Sequence, residues 1–326
     1  CPPWRGTRKM ASEMLKKQQQ QEQERSRARE DTDTPHQCAR RRTAFVEAEG
    51  AYTLSLLLRM SSLMTKQQVA MSLFFCAGEQ SLRAAMVQQG GLGLALKLAR
   101  VEGSAAAAAG DKKAGSKLKL LVSHALARIL ISVNPGLLEE MQVLECVGPL
   151  VSLIAKDYAL QQFEGLLALT NLATVGMEVQ DKIVGNGFGA IEELQWSKNE
   201  MVVRAATELL CNCVSCDKVL ASIKDGSRQK LWIGLALSED PATANAAAGA
   251  IAMASGDPRV AASLAKSGAF AQVLDLAESS QPGMRHRAFV TLENLRNEAE
   301  AFRALDEGSQ CKVKNALERL KESDGF

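Results

Sequence analysis

The sequence repeats the pattern GLLALTNLA (165–173) three more times, as ATELLCNCV (206–214), AGAIAMASG (248–256) and VTLENLRNE (290–298). Within each copy, apolar residues recur at spacings of three and four, which is the stripe of an amphipathic helix. Asn171, Asn212, Met253 and Asn294 hold equivalent positions, each 41 residues after the last. A helical pattern with a period of ~40 residues predicts an all-α, right-handed superhelical solenoid of the armadillo/HEAT kind, with about six to seven repeats.

The same register extends toward the N-terminus. Arg128 lies 43 residues before Asn171, and Phe75 lies 53 residues before Arg128. The long step contains GSAAAAAGDKKAGSK (103–117), which we interpret as a loop insertion, because removing it restores a step of about 40 residues. The six equivalent residues are termed the ladder positions: Phe75, Arg128, Asn171, Asn212, Met253 and Asn294.

A column of glycines accompanies the ladder. Each member follows a ladder position by 14 to 16 residues: Gly90, Gly187, Gly226, Gly268 and Gly308. Glycine reaches positive φ without a Cβ clash, so the column predicts a turn between two helices. The copy that starts at Arg128 has Gly148, which comes four or more residues late, followed by Pro149 as a helix start. Each repeat is therefore expected to read as first helix, glycine turn, second helix, short break and third helix, with the ladder residue on the third helix.

The third helix lines the concave face in armadillo folds, so Asn171, Asn212 and Asn294 are expected to point into one groove. Two interpretations stay open for these asparagines. Each can tie its own helix to a neighbouring backbone, or the row can hold an extended peptide by its backbone amides. Arg128 and Met253 break the row, so the groove is not a regular ladder for one uniform peptide.

Charged residues stand in step with the ladder. Glu208, Arg204, Glu164 and Arg287 precede a ladder position by four to eight residues, which places them on roughly the same helix face. They either pair with one another as a solvated rim, which adds little stability, or form a mixed-charge groove that grips a polypeptide.

Composition limits the class of protein. The chain has 326 residues, of which 46% are apolar and 4% aromatic, and no apolar run reaches the ~18 residues that span a membrane. Residues 1–42 carry a net charge of +5 and the remainder −3, which does not fit a nucleic-acid clamp. We predict a low-complexity Gln/Arg-rich linker over 1–35 and one repeat domain over 36–326, with neither nucleic acid nor membrane as a partner.

No pattern in the chain predicts catalysis, a cofactor or a metal. The eight cysteines show no disulfide framework, which favours reduced thiols in the cytoplasm. CNCVSC (211–216) lacks a second Cys/His pair at zinc-finger spacing, and GNGFGA (185–190) lacks the spacing of a dinucleotide-binding loop. The three histidines accompany no nucleophile motif, HExxH or P-loop.

Four blocks together resemble the UCS domain of myosin-directed chaperones. They are ARILISVNPGLLEEMQ and VGPLVSLIAKDYALQQFEGLLALTNLAT (within 127–174), RAATELLCNCV (204–214), AAAGAIAMAS (246–255) and HRAFVTLENL (286–295). The Asn134–Pro135 pair, the FEGLLALTNLA block and the RAATE block match in order and spacing. The likeness covers roughly 120–297 well, 40–100 weakly and 1–35 not at all. The insertion at 103–117 and Met253 depart from the family pattern.

The resemblance implies a chaperone that binds the myosin motor domain and helps it to fold or prevents its aggregation. It implies these client-binding groove residues: Phe163, Glu164, Asn171, Arg204, Glu208 and Asn212, to which the ladder adds Arg128 and Asn294. Animal members recruit the ninety-kilodalton heat-shock chaperone through an N-terminal tetratricopeptide domain. The chain opens with CPPW, without methionine, so we expect it to be the C-terminal part of a longer protein that carries this domain.

A general armadillo scaffold or adaptor is the alternative. Importin-type grooves pair a tryptophan row with the asparagines to hold lysines, but Trp4, Trp196 and Trp232 are out of phase with the ladder. That version of the alternative is therefore not favoured.

Overall fold

The computed structural model describes residues 34–57, 62–109, 112–267 and 270–324, and within these ranges it describes only the backbone of 101–114. The described residues contain eighteen α-helices and no strand. The helices are α1 Pro35–Glu47, α2 Gly50–Leu57, α3 Leu63–Ala77, α4 Arg83–Gln88, α5 Gly91–Ala109, α6 Lys112–Leu130, α7 Glu140–Ile154, α8 Ala159–Leu172, α9 Met177–Leu194, α10 Glu200–Asn212, α11 Asp217–Lys224, α12 Gly226–Ala236, α13 Pro241–Ala254, α14 Pro258–Lys266, α15 Phe270–Ala277, α16 Pro282–Asn297, α17 Ala299–Ala304 and α18 Glu307–Asp324. Residues 1–33 of the linker predicted over 1–35 lie outside this part of the chain, and Pro35 is the first residue of α1.

The fold is an armadillo-like solenoid, as the period predicts. All six ladder residues lie on equivalent helices, which are α3, α6, α8, α10, α13 and α16 and are called third helices throughout. The predicted three-helix repeat is wrong at α8 and α10, since only α7 and only α9 precede them in their repeats. Each of these helices packs against the next one in that order, and the first and second helices pack behind them. One continuous apolar core runs through the stack, from Val46 to Leu320. The faces that the third helices turn away from this core form a shared surface, which is termed the third-helix surface. Its accessible residues include Glu208, Asn212, Met253 and Asn294.

Polar residues set the starts of several helices. Asn199 accepts hydrogen bonds from the backbone of Met201 and Val202 at the start of α10. Asp240 accepts one from Thr243 at the start of α13, and Pro241 occupies the first turn. These side chains satisfy backbone N–H groups that have no partner within their own helix. They fix where α10 and α13 begin, and so where Asn212 and Met253 lie.

The glycine column is confirmed at one position only. Gly90 has φ of +81° and separates α4 from α5. Gly226 and Gly308 instead lie in the first turns of α12 and α18, with ordinary backbone. Gly268 lies outside the described residues.

The prediction of a turn is wrong at Gly148 and Gly187. Both lie inside continuous helices, α7 and α9, and Pro149 also lies within α7 rather than starting a helix. At Gly187 the reason for glycine is close packing, since an added Cβ would lie 2.9 Å from Val151 Cγ2 of α7. Glycine there lets two helices of successive repeats approach each other, and no positive φ is involved.

The predicted loop at 103–117 is also wrong for the described residues. The chain is helical to Ala109 at the end of α5 and helical again from Lys112 in α6. The five consecutive alanines of this segment have the highest helix propensity of any residue. The extra length therefore extends two helices of the first described repeats.

None of the described helices is both long and apolar enough to cross a membrane.

Alanine substitutions at two glycines of α9 test whether close helix packing requires glycine at position 187. Gly187→Ala should destabilise the protein by about 1 kcal/mol, because overpacking against Val151 outweighs the helix propensity of alanine. Gly185→Ala is the control on the same helix, where an added Cβ meets nothing within 4 Å. It should stabilise by about 0.5–1 kcal/mol. Urea unfolding followed by circular dichroism measures both, and shifts of equal sign would contradict the close-packing role of Gly187.

Candidate functional site

The three ladder asparagines tie successive repeats together. Asn171 Nδ2 donates to Leu130 O and Val133 O, both at 2.7 Å. Asn212 Nδ2 lies 3.4 Å from Thr170 O. Asn294 Nδ2 donates to Ala252 O at 3.3 Å and to Ser255 Oγ at 3.0 Å. These contacts support the interpretation in which the asparagines belong to the scaffold, since each amide nitrogen already serves the preceding repeat.

A buried polar cluster occupies the equivalent region of α3, α6 and α8. The Glu164 carboxylate accepts a short hydrogen bond from His124 Nε2 and lies 3.3 Å from Arg128 Nε. Arg128 stacks over the Phe74 ring at 3.9 Å. Glu164 is 2% exposed and Arg128 5%. Burial alone would raise the pKa of Glu164, but the hydrogen bond from His124 and the charge of Arg128 hold it below its usual value.

Arg204 is paired across the next repeat boundary. Its guanidinium binds the Asp240 carboxylate through two nitrogen atoms, with Nε 2.7 Å from Oδ2. The same Asp240 oxygen caps α13 by accepting from the Thr243 backbone at 3.0 Å. Arg204 therefore joins α10 to the start of α13. Asp240 is not among the predicted site residues, although an Asp-Pro pair before a helix signals an N-terminal cap.

The predicted groove residues thus divide into two sets. Side chains that are less than 9% exposed and already engaged or packed are Phe163, Glu164, Asn171, Arg128 and Arg204. Half-buried side chains that reach the third-helix surface are Glu208, Asn212 and Asn294. Periodicity placed all eight on the correct helices, but it did not distinguish contacts between repeats from contacts with a ligand.

Glu208 differs from the other charged groups on the third-helix surface. It is half-buried, yet no hydrogen bond or ion pair reaches its carboxylate in the described part of the chain. Burial raises the pKa of Glu208 to about 7, an increase that the nearby Arg204 opposes and Asp240 reinforces. Near neutral pH, the protonation state of Glu208 therefore depends on which charged groups lie beside its carboxylate.

Residues of α13 and α16 hold the positions next to Glu208 in the stack. Gly249 of α13 and Val290 of α16 follow Glu208 by one and two periods of 41 residues. An added Cβ at Gly249 would lie 3.3 Å from Arg287 Nε and 3.6 Å from Cys211 Sγ, so these two side chains border the glycine. Met253, one turn further along α13, is 53% exposed. This stretch therefore combines the Glu208 carboxylate, a glycine that Arg287 borders and the exposed apolar side chain of Met253.

Nothing in this arrangement resembles catalytic or metal chemistry. Among the described residues, no group of three or more His, Cys, Asp or Glu side chains is placed to hold a metal ion. Burial raises the pKa of Cys211 to about 11 and that of Cys213 to about 12, so both thiols stay protonated near neutral pH.

The chain has homologues among curated proteins. It is 31% identical over 239 residues to protein unc-45 homolog B of Danio rerio, a match that covers 71% of this chain and 24% of that protein. The chain therefore spans about a quarter of the length of this relative. No family model matches the sequence.

Two solved structures share the fold. UNC-45 from Drosophila melanogaster superposes with a TM-score of 0.72 at 25% identity, covering 88% of this chain and 38% of that one. The myosin chaperone UNC-45 from C. elegans, in complex with a Hsp90 peptide, superposes with a TM-score of 0.71 at 20% identity. That match covers 87% of this chain and 33% of the C. elegans chain, and it shows the fold alone.

Removing the charge of Glu164 tests its scaffold role. Glu164→Leu leaves Arg128 buried without its carboxylate partner, and should destabilise the protein by about 3 kcal/mol. Thermal unfolding measures the effect. Glu193→Leu, at an exposed site on α9, is the control and should change stability by less than about 0.5 kcal/mol. An unchanged melting temperature for Glu164→Leu would show that the cluster does not hold the repeats together.

Glu208 predicts a pH-dependent stability difference. Its folded pKa of about 7 lies above the ordinary value of 4.5, so ionisation costs more in the folded state than in the unfolded state. Glu208→Gln removes this cost. The variant should match the wild type near pH 4.5 or below, exceed it increasingly up to about pH 7, and exceed it by a constant amount of about 3 kcal/mol at higher pH. Urea unfolding at pH 5, 6, 7 and 8 measures the difference, and a pH-independent offset would contradict the raised pKa.

Proposed function

We propose that this chain, which belongs to the UCS family of UNC-45-like proteins, is a chaperone that binds the motor domain of myosin and assists its folding or prevents its aggregation. Homology to unc-45 homolog B over 71% of the chain is the observation that carries the proposal. The C. elegans relative of the same fold is described as a myosin chaperone. The client-binding surface is the third-helix surface.

The distribution of exposed groups supports this surface. Its buried charges are neutralised within the scaffold by the pairs Glu164–Arg128 and Arg204–Asp240. Its half-buried carboxylate, Glu208, and its exposed Met253 remain open to a partner. A polypeptide that binds here meets both apolar and charged groups, as a partly folded client presents.

Binding alone can assist folding, without a catalytic group. A surface that binds a partly folded motor segment more tightly than the native motor shields apolar side chains and lowers aggregation. Folding of the client then removes the preferred ligand and releases the chaperone.

We also propose a second protein partner, which would bind a domain other than the repeats of this chain. The C. elegans UNC-45 structure is in complex with a Hsp90 peptide. A tetratricopeptide domain that accompanied these repeats would recruit the ninety-kilodalton heat-shock chaperone to the same client. We place the protein in the cytoplasm, and the seven free cysteines of the described residues are consistent with a reducing compartment.

Protection of myosin during heating tests the function. Light scattering of a purified myosin motor domain should fall at least about twofold in the presence of an equimolar amount of the chain, because bound apolar segments cannot associate. Citrate synthase is the control client, and its scattering should not change. Leu169→Asp, which places a charge at a fully buried core position, is the misfolded control and should give no protection. Protection of neither client by the wild type would contradict the proposal and favour a peptide-binding adaptor.

A further inference from the structure

The carboxylate of Glu208 stands apart from the other buried acids of the repeats. Glu164 is engaged by His124 and Arg128, and Glu192 by Arg228 and Ser222. Glu208 is half-buried and has no such partner. Withdrawing a carboxylate from water without a hydrogen bond or a counter-charge is unfavourable. Groups perturbed in this way concentrate at functional sites, where a ligand supplies what the scaffold lacks.

The charged groups around Glu208 are already committed. Arg204, one turn earlier on α10, is bound to Asp240 at the start of α13, and the two charges act on the pKa of Glu208 in opposite directions. From α16, Arg287 passes beside Gly249, and its Nη1 donates to Gly283 O at 2.8 Å. On α8, the residue one period before Glu208 is the buried, uncharged Leu167. Among the described residues, no hydrogen bond or ion pair joins a cation to this carboxylate.

The groups beside Glu208 are both polar and apolar. Gly249 holds the same repeat position on α13 as Glu208 does on α10, and the side chains of Arg287 and Cys211 border it. Met253 offers an apolar contact one turn further along α13.

We propose that Glu208 binds a basic side chain, lysine or arginine, of an extended client segment that lies across α10 and α13. The inference rests on the proposed function in one respect, since it places this contact on the client-binding surface. A lysine ammonium or an arginine guanidinium supplies both the counter-charge and the hydrogen bonds that the carboxylate lacks. The partner is thus a polypeptide segment in which a basic residue is flanked by apolar residues.

This pairing gives binding a definite pH dependence. Below the pKa of about 7, Glu208 is mostly protonated in the free chain and attracts a cation weakly. Affinity for a basic segment therefore rises between pH 6 and pH 8, and binding releases a proton from Glu208. A segment that binds through apolar contacts alone shows no such rise.

A random 12-residue peptide library displayed on phage tests the preference without assuming a client. The wild-type chain should enrich peptides with lysine or arginine beside apolar residues. The tightest peptide is then synthesised with its basic residue or with norleucine, which keeps most of the lysine side chain's length without its charge. Fluorescence anisotropy compares the binding of both forms to the wild type and to Glu208→Gln. Glu200→Gln, at an exposed site in the first turn of the same helix, is the matched control.

The expected result is a double-mutant cycle with strong coupling. Norleucine should weaken binding about tenfold with the wild type and with Glu200→Gln, but less than about twofold with Glu208→Gln. Equal losses with all three proteins, or a library without basic enrichment, would overturn the proposal.

The same protein preparations distinguish this inference from the proposed function. Each is also tested for protection of the myosin motor domain against heat aggregation. Protection together with an uncoupled cycle would overturn only the role of Glu208. A coupled cycle without protection of myosin would uphold that role and count against myosin as the client.

Discussion

The stack depends on the carbonyl oxygens that end each third helix. The last turn of an α-helix has no further N–H groups to bond its carbonyls, and these groups are costly to bury unpaired. Leu130 O, Thr170 O and Ala252 O are such groups, and each accepts from an asparagine about one repeat later in the chain. The period of 41 residues is thus a spacing between hydrogen-bonded partners as well as a sequence pattern. The asparagines cannot serve a ligand through the same N–H groups without giving up these bonds.

Where the ladder is broken, other chemistry joins the repeats. At Arg128, an ion pair with Glu164 and stacking on Phe74 connect three successive third helices. At Met253 the ladder side chain is exposed, and Arg204 and Asp240 join α10 to α13 instead. The third-helix surface is therefore uneven. Around α6 and α8 its charged side chains are buried and paired with each other, whereas around α10 and α13 the side chains of Glu208 and Met253 are accessible. A client that follows this surface meets its accessible groups in the second half of the stack.

The sequence was sufficient to predict the repeat architecture and the third helices, because periodicity reports which face of a helix is apolar. It was not sufficient for the glycines, since a turn at Gly90 and a close helix contact at Gly187 require the same residue for different reasons. It also failed at 103–117, where an alanine-rich insertion is compatible with a loop or with longer helices. Among the groove residues, the outcome depended on partners about 40 positions away, such as Asp240 for Arg204. Spacing alone does not reveal which charge is paired and which, like Glu208, is left without a partner.

Oxidative footprinting of the complex with a myosin motor domain would show directly whether the client binds to the third-helix surface. Hydroxyl radicals modify exposed methionines, and mass spectrometry measures each site separately. Met253 on the third-helix surface and Met177 at the start of α9 have similar exposure, 53% and 60%, and the same chemistry. We expect the motor domain to protect Met253 strongly from oxidation and to leave the oxidation of Met177 unchanged. Protection of Met177 with continued oxidation of Met253 would show that the client binds elsewhere, and would contradict the assignment of the third-helix surface as the binding site.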